Sequence, residues 1–255
     1  MRVLFLGTGT SHGVPMIGCE CRVCRSDDPR DQRYRPSIYV TLDDDTRVLV
    51  DTTPDLRTQA LTHRITRVDA VVFTHAHADH IMGLDDVRRF NAITRRPMPI
   101  YADQPTLANL RRVFSYAFDP AAPKGGGIPE LHLHTIDGPF RIGAAEWRPM
   151  PLRHGSWTIL GFRIGRFAYL TDCDGVPDAT LAQLADLDVL VLDALRHKPH
   201  PTHFTLAQAL EMAARIGARR TFFTHIAHDL GHEETSASLP PSMALACDGL
   251  TVDVA

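Results

Sequence analysis

The stretch Val71-Val72-Phe73-Thr74-His75-Ala76-His77-Ala78-Asp79-His80 decides how this chain folds. A short apolar, β-branched run of the kind that forms a buried strand delivers four donor-bearing residues within six positions, separated only by alanines. On a helix, two histidines sharing a metal need i and i+4 spacing, so His75 and His77 require an extended or turning backbone. Asp79 suits a helix N-terminus, and a helix starting near it would turn Asp79 and His80 toward a neighbouring ion. One segment can thus feed two metals. Imidazole with carboxylate suits zinc, manganese or iron without selecting among them.

Two further apolar runs end in the same way: Thr221-Phe222-Phe223-Thr224 leads into His225, and the run from Phe167 to Thr171 leads into Asp172. In open α/β sheets, ligand sites lie beyond the carboxyl ends of strands. Strand-like runs at 2–6, 38–42, 46–50, 69–74, 98–102, 131–136, 159–164, 166–171, 188–193, 220–224 and 250–254 alternate with helix-like stretches at 54–62, 83–93, 104–116, 177–185 and 205–216. That alternation predicts an α/β layered fold. The 255 residues are read as one domain, 1–255, with the Pro- and Gly-rich segment 120–129 as a surface loop or lid.

The longest apolar runs are four or five residues, against the roughly 18 to 20 that a membrane helix needs. The opening apolar run stops at Gly7, shorter than the h-region of a signal peptide. A cytoplasmic protein with no membrane contact is expected. A net charge of −3 argues against a nucleic-acid partner and leaves room for a small phosphorylated substrate.

Cys19-Glu20-Cys21-Arg22-Val23-Cys24 places three thiols within six residues. Three cysteines cannot all pair with one another, and a cytoplasmic setting disfavours disulfides, so a structural zinc knuckle at 19–24 is preferred over a redox cluster. Its fourth ligand stays open at this level among Cys247, His12, His228 and His232.

The ordered set of His75-x-His77-x-Asp79-His80, His154 in Pro151-Leu152-Arg153-His154-Gly155, Asp172 in Tyr169-Leu170-Thr171-Asp172, and His225 resembles the metallo-β-lactamase superfamily. The resemblance implies a four-layer αββα sandwich. It also implies one ion on His75, His77 and His154, a second on Asp79, His80 and His225, and Asp172 as the bridge. Asp174 is the rival bridge, and the strand-end position favours Asp172. Two ions about 3.5 to 4 Å apart lower the pKa of a shared water and clamp the substrate oxygens, so that a bridging hydroxide attacks while Asp79 orients it. Cys173 is a rival nucleophile at the same place, although a buried small residue is the better reading.

Gly7-Thr8-Gly9-Thr10 through Gly13-Val14-Pro15, the C-x-C-x-x-C knuckle and Thr224-His225-Ile226-Ala227-His228 are similar to the PhnP branch of that superfamily. Its members are phosphodiesterases of phosphoribosyl 1,2-cyclic phosphate. This closer resemblance implies a structural zinc on Cys19, Cys21, Cys24 and His228, and makes His203, in Pro201-Thr202-His203-Phe204-Thr205, the proton donor to the leaving oxygen. His200 is a second catalytic candidate or merely lines the loop. Arg196 and Lys198, and likewise Arg35, Ser37 and Arg153, are weighed as phosphate contacts against ordinary surface roles.

The expected cofactors are two catalytic divalent ions, Mn²⁺ or Zn²⁺, and one structural Zn²⁺. The expected partner is a small, cyclic or nucleotide-like phosphodiester, with a homodimer admitted. The Gly125 to Gly127 loop, Cys173 and the extra His200 depart from the phosphoribosyl enzymes and leave the cyclic ribose substrate open. A tRNA 3′-processing endonuclease is the alternative within the same motif. However, His232-Glu233-Glu234-Thr235 follows the last metal histidine, whereas the comparable motif of those nucleases precedes it. Thioester or lactam hydrolysis has no sequence feature of its own. A di-iron redox enzyme would carry Glu at the position of His77. A metal-binding protein without turnover would be expected to have lost ligands.

Overall fold

The computed structural model describes residues 1–122 and 127–255, so the centre of the candidate lid at 120–129 lies outside the described residues. In chain order the elements are β1 (Arg2–Gly7), β2 (Ser37–Thr41), β3 (Arg47–Val50), α1 (Leu56–Thr62), β4 (Ala70–Val72), α2 (Ala78–Ile81), α3 (Arg88–Thr94), β5 (Met98–Ala102), α4 (Gln104–Val113), α5 (Ser115–Phe118) and β6 (Leu131–Thr135). The second half comprises β7 (Phe140–Ile142), β8 (Ala145–His154), β9 (Trp157–Ile164), β10 (Phe167–Leu170), α6 (Asp178–Leu181), β11 (Val189–Asp193), α7 (Leu206–Ile216), β12 (Arg220–Thr224), α8 (His232–Ser236), β13 (Met243–Leu245) and β14 (Thr251–Asp253). Two mixed sheets result among the described residues, in the orders β14-β1-β2-β3-β4-β5-β6 and β13-β12-β11-β10-β9-β8-β7.

Strand alternation explains the layering. In β11, Val189 and Val191 face the opposing sheet and pack with Phe5, Val40, Trp147, Phe162 and Tyr169, while Leu190 and Leu192 face outward with Leu206, Ala209 and Met212. The outer face of the first sheet buries Leu49, Val71 and Phe73 against Leu84, Phe90, Leu107 and Leu110. Both faces of each sheet are therefore covered, which is why the strands read as continuous apolar runs. The result is an αββα sandwich. A capping box of Thr205 with Gln208 starts α7, and Gly217, at φ 69°, ends it.

β7, β8, β13 and the short α8 are not among the expected elements, while α2 begins at Ala78, next to the Asp79 that suits a helix N-terminus. β8 carries Pro149 and Pro151, which argue against a strand interior. They are tolerated because β7 pairs only as far as Trp147, leaving the rest of β8 with β9 on one side. The amide of Arg153, two residues past Pro151, points away from β9 to the carbonyl of Gly175. The two prolines thus turn their missing N–H groups to the open edge.

Candidate metal centre

Mutually parallel strands bring their carboxyl ends to one rim, and each releases a polar residue there: Asp51 after β3, His75 after β4, His154 at the end of β8, Asp172 after β10, Asp193 at the end of β11 and His225 after β12. Asp51, Asp172 and His225 adopt left-handed backbone, at φ 64°, 62° and 61°. Such conformations are uncommon for residues other than glycine, and here they turn side chains sharply off the strand ends into the rim. α2 begins at Ala78, which carries Asp79 and His80 back over the same rim.

His75, His77 and His154 offer donor atoms that all lie within 4.8 Å of one another, and so do Asp79, His80, Asp172 and His225. His75 Nε2 lies 2.9 Å from His77 Nδ1. Asp172 Oδ2 is 3.1 Å from His80 Nε2, 3.2 Å from His225 Nε2 and 3.8 Å from His75 Nε2, so it touches both groups. Asp79 Oδ2 is 3.4 Å from His80 Nε2 and 3.7 Å from His225 Nε2. Asp174, the rival bridge, instead pairs with Arg153 at 2.9 Å and accepts from the Gly155 amide.

The outer nitrogens are held from behind. His80 Nδ1 donates to Asp51 Oδ2 at 2.8 Å, and His154 Nδ1 donates to the backbone carbonyl of Asp172. Asp51 also accepts from the amide and hydroxyl of Thr74, both at 2.9 Å. Thr74 Oγ1 in turn lies 3.0 Å from His75 Nδ1. Each contact leaves Nε2 for the cluster, the arrangement by which carboxylates and carbonyls orient metal-binding imidazoles.

Both ring nitrogens of His225 are buried without a hydrogen-bond partner. Burial, opposed by Asp172, drives the pKa of His75 well below its ordinary value, leaving a neutral imidazole. Burial alone would raise Asp79 and Asp172, but the adjacent His80 and His225 hold both below the usual carboxylate range. Against burial, Asp172 and Asp79 raise His225 to about 10 and His80 well above its ordinary value, so these two rings carry protons that a divalent cation would displace. Imidazoles and ionised carboxylates converging on one point form a donor set that fits such cations.

His203 lies beside this cluster. Its Nδ1 donates to Asp193 Oδ2 at 2.9 Å, and its ring stacks on His225 with centroids 4.6 Å apart. Together with His77, Asp79 and Asp172 it lines a cavity of about 300 Å³ that is open to solvent. His200 sits next to it, with ring centroids 5.0 Å apart. Trp157, half exposed on the β8–β9 hairpin, lies against His77 at 4.8 Å.

The knuckle closes on one histidine: Cys19 Sγ and Cys21 Sγ lie 3.2 and 3.3 Å from His228 Nδ1. Cys24 completes the group. A hydrogen bond from the Cys24 amide lowers the Cys21 thiol to about 6, while burial raises Cys24 to about 11. Of the four candidates for the fourth donor, only His228 belongs to this group. Cys247, His232 and the exposed His12 are not part of it.

Other candidates are spent structurally. Cys173 is buried in the outer core, where its thiol is pushed well up. Arg35 pairs with Asp55 at 2.9 Å, and the Ser37 hydroxyl bonds the carbonyls of Val50 and Asp51. Sequence reasoning missed Asp51 and Asp193 as orienting carboxylates. The available signal was an aspartate ending an apolar strand, the same pattern that singled out Asp172.

The profile of the Beta-lactamase superfamily domain matches residues 46–226. The chain is 38% identical over 252 residues to a Porphyromonas gingivalis protein named Octanoyltransferase, covering 98% of this chain and 51% of that protein, so it spans about half of that relative's length. A structure described as a new diphosphatase from the PhnP family superposes with a TM-score of 0.92 at 47% identity, covering 99% of this chain and 97% of that one. Zn²⁺-bound PqqB from Methylobacterium extorquens shares the fold, with a TM-score of 0.78 at 21% identity over 100% of both chains. Among the described residues no helix is long and apolar enough to cross a membrane. By the profile match and the 47%-identical PhnP-family structure, the chain belongs to the β-lactamase superfamily and, within it, to the PhnP-like branch.

Proposed function

We propose that this metal-dependent hydrolase is a dinuclear phosphodiesterase acting on a small phosphodiester such as phosphoribosyl 1,2-cyclic phosphate. The carrying observation is Asp172 Oδ2 standing within 3.8 Å of His75, His80 and His225 at once, which joins two donor groups into one centre. His75, His77 and His154 would hold one ion and Asp79, His80 and His225 the other, Mn²⁺ or Zn²⁺ in either place, with Asp172 shared. When bound, such a pair lowers the pKa of a shared water and neutralises charge on the phosphoryl oxygens. A third ion, zinc, would sit on Cys19, Cys21, Cys24 and His228.

The chain's own residues handle position and protons. Asp79 accepts a hydrogen bond from the attacking water and fixes its direction. The water gives up one proton to solvent as its oxygen bonds to phosphorus, the bond to the leaving oxygen breaks, and the electron pair goes to that oxygen. His203, held by Asp193 through Nδ1, delivers a proton from Nε2 to it. His200 stands at the leaving side, 5.0 Å from His203 ring to ring. A phosphoanhydride is the second reading, favoured by the 47%-identical relative described as a diphosphatase.

The test is turnover of a panel of cyclic and linear diesters with Mn²⁺ or Zn²⁺. Asp79→Ala should abolish activity on all of them. His203→Asn should cost about 10²- to 10⁴-fold on alkyl diesters, and much less on bis-p-nitrophenyl phosphate, whose leaving group needs no proton. Activity surviving in Asp79→Ala would overturn the reading.

A further inference from the structure

We propose that the leaving-group side of the site is a subsite for a second phosphoryl group, contacted by Arg196 and His200. This rests on the hydrolase reading above and takes up its second form, a phosphoanhydride, in which the leaving oxygen is itself bonded to phosphorus.

The cavity over the metal centre shares Ser11 and His203 with a second one, of about 200 Å³, that continues over the Thr10–Gly13 turn. A group attached to the leaving oxygen, once protonated by His203, has this second space as its continuation. Arg196, His200 and His12 line it, with Asp229 beside His228 at the knuckle end.

The arginines near the centre are not equivalent. Arg153 is neutralised by Asp174 and Arg35 by Asp55, each at 2.9 Å. Arg196, half-buried at the end of β11, uses Nε and Nη2 only on the carbonyls of Lys198 and Pro199, at 3.1 and 3.0 Å. Carbonyls fix the guanidinium plane without cancelling its charge. Its guanidinium has no carboxylate partner among the described residues, Arg196 lines the cavity, and an unpaired positive charge there suits phosphate oxygens.

His200 is fixed in a complementary way. Thr202 occupies its Nδ1, with the amide donating at 3.4 Å and the hydroxyl 3.2 Å away, so Nε2 is the ring nitrogen left for a ligand. Such a nitrogen beside an unpaired guanidinium favours an anionic oxygen over an alcohol or a sugar carbon. In the reaction, water releases one proton to solvent as its oxygen bonds to one phosphorus, the P–O–P bond breaks, and the electron pair stays on the departing phosphate. That phosphate's oxygens lie against Arg196 and His200 while His203 supplies the proton.

The experiment compares ligands with and without the second phosphoryl group. Calorimetric titration of the metal-loaded protein with methylenediphosphonate and with methylphosphonate is run on wild type, Arg196→Gln, Arg196→Lys and His200→Gln. Arg196→Gln should weaken the diphosphonate about 10- to 100-fold more than the monophosphonate, the size of a lost charge-assisted contact. Arg196→Lys, which keeps the charge but not the fork, should retain most of that preference. His200→Gln should show a smaller loss of the same selective kind.

The ratio of kcat/KM for ADP-ribose to that for bis-p-nitrophenyl phosphate should fall in parallel. Equal weakening of both phosphonates, or an unchanged diphosphonate affinity in Arg196→Gln, would overturn the subsite. Equal losses in Arg196→Gln and Arg196→Lys would also overturn it, because they would trace the effect to the loop and not to charge. Absence of turnover on both substrates would instead count against the hydrolase reading, with the phosphonate titrations still deciding the subsite.

Discussion

His225 and His228 stand three residues apart on one turn and face two different donor groups, the first the Asp79–Asp172 centre and the second the thiols of Cys19 and Cys21. The turn is pinned from both sides. The Ile226 amide donates to the Thr8 carbonyl at 2.9 Å and its carbonyl accepts from Thr10 at 3.1 Å, while buried Arg33 reaches the carbonyls of Ala227 and Leu230 at 3.1 and 2.8 Å. Whatever holds His228 therefore helps to hold His225.

A metal bound at the knuckle would add folding free energy outright, since the donors converge only in the folded chain. His228→Ala and Cys19→Ser are expected to carry one zinc fewer per chain and to melt several degrees lower, about 2 to 4 °C for each 1 kcal/mol lost in a domain of this size. Asp79→Ala should keep that zinc. Elemental analysis alongside a thermal melt decides it, and an unchanged zinc content in both knuckle variants would remove the structural site.

Asp51 touches no proposed substrate, yet it collects His80 Nδ1, the Thr74 amide and the Thr74 hydroxyl on one fully buried carboxylate. Asp51→Asn preserves its volume but turns one acceptor into a donor facing donors. His80 then loses its fixed orientation, and the expected loss is about 10- to 100-fold in affinity for the catalytic ions, the usual cost of removing such a partner. Titration of metal-free protein with Mn²⁺ measures it directly. Wild-type affinity in Asp51→Asn would show that His80 is oriented by something else.

Most of the centre was legible in the sequence because its donors lie next to strand ends, where local pattern and site coincide. His75, Asp172 and His225 each follow an apolar run, and the sheet carries them to one rim. What stayed hidden depended on contacts between distant segments. The residues alone leave His228 open against Cys247, His12 and His232, and only the family resemblance picks it, because its turn meets the knuckle across 209 residues from Cys19. β8 was obscured because Pro149 and Pro151 forbid a central strand, and nothing local announces that β7 stops short of them. Asp51 and Asp193 belong to a second layer of contacts, visible only once His80 and His203 have been placed.

Asp248 carries a pH dependence separate from the metal centre. Its carboxyl accepts from the Thr8 hydroxyl and the Tyr34 amide, both at 2.7 Å, and burial nevertheless pushes its pKa from the ordinary 3.8 up to about 7. In the unfolded chain the same group ionises near its ordinary value. Below about pH 4 it is protonated in both states and imposes no penalty. As pH rises toward 7 the unfolded state releases its proton first, so the wild-type fold loses stability across that window. Asp248→Asn cannot ionise. Its melting temperature relative to wild type should therefore climb from about pH 4 to about pH 7 and level off above, whatever the absolute values at either end. A difference that is flat across that range would mean that Asp248 is already ionised in the folded protein, with Arg33 and the two donors outweighing burial.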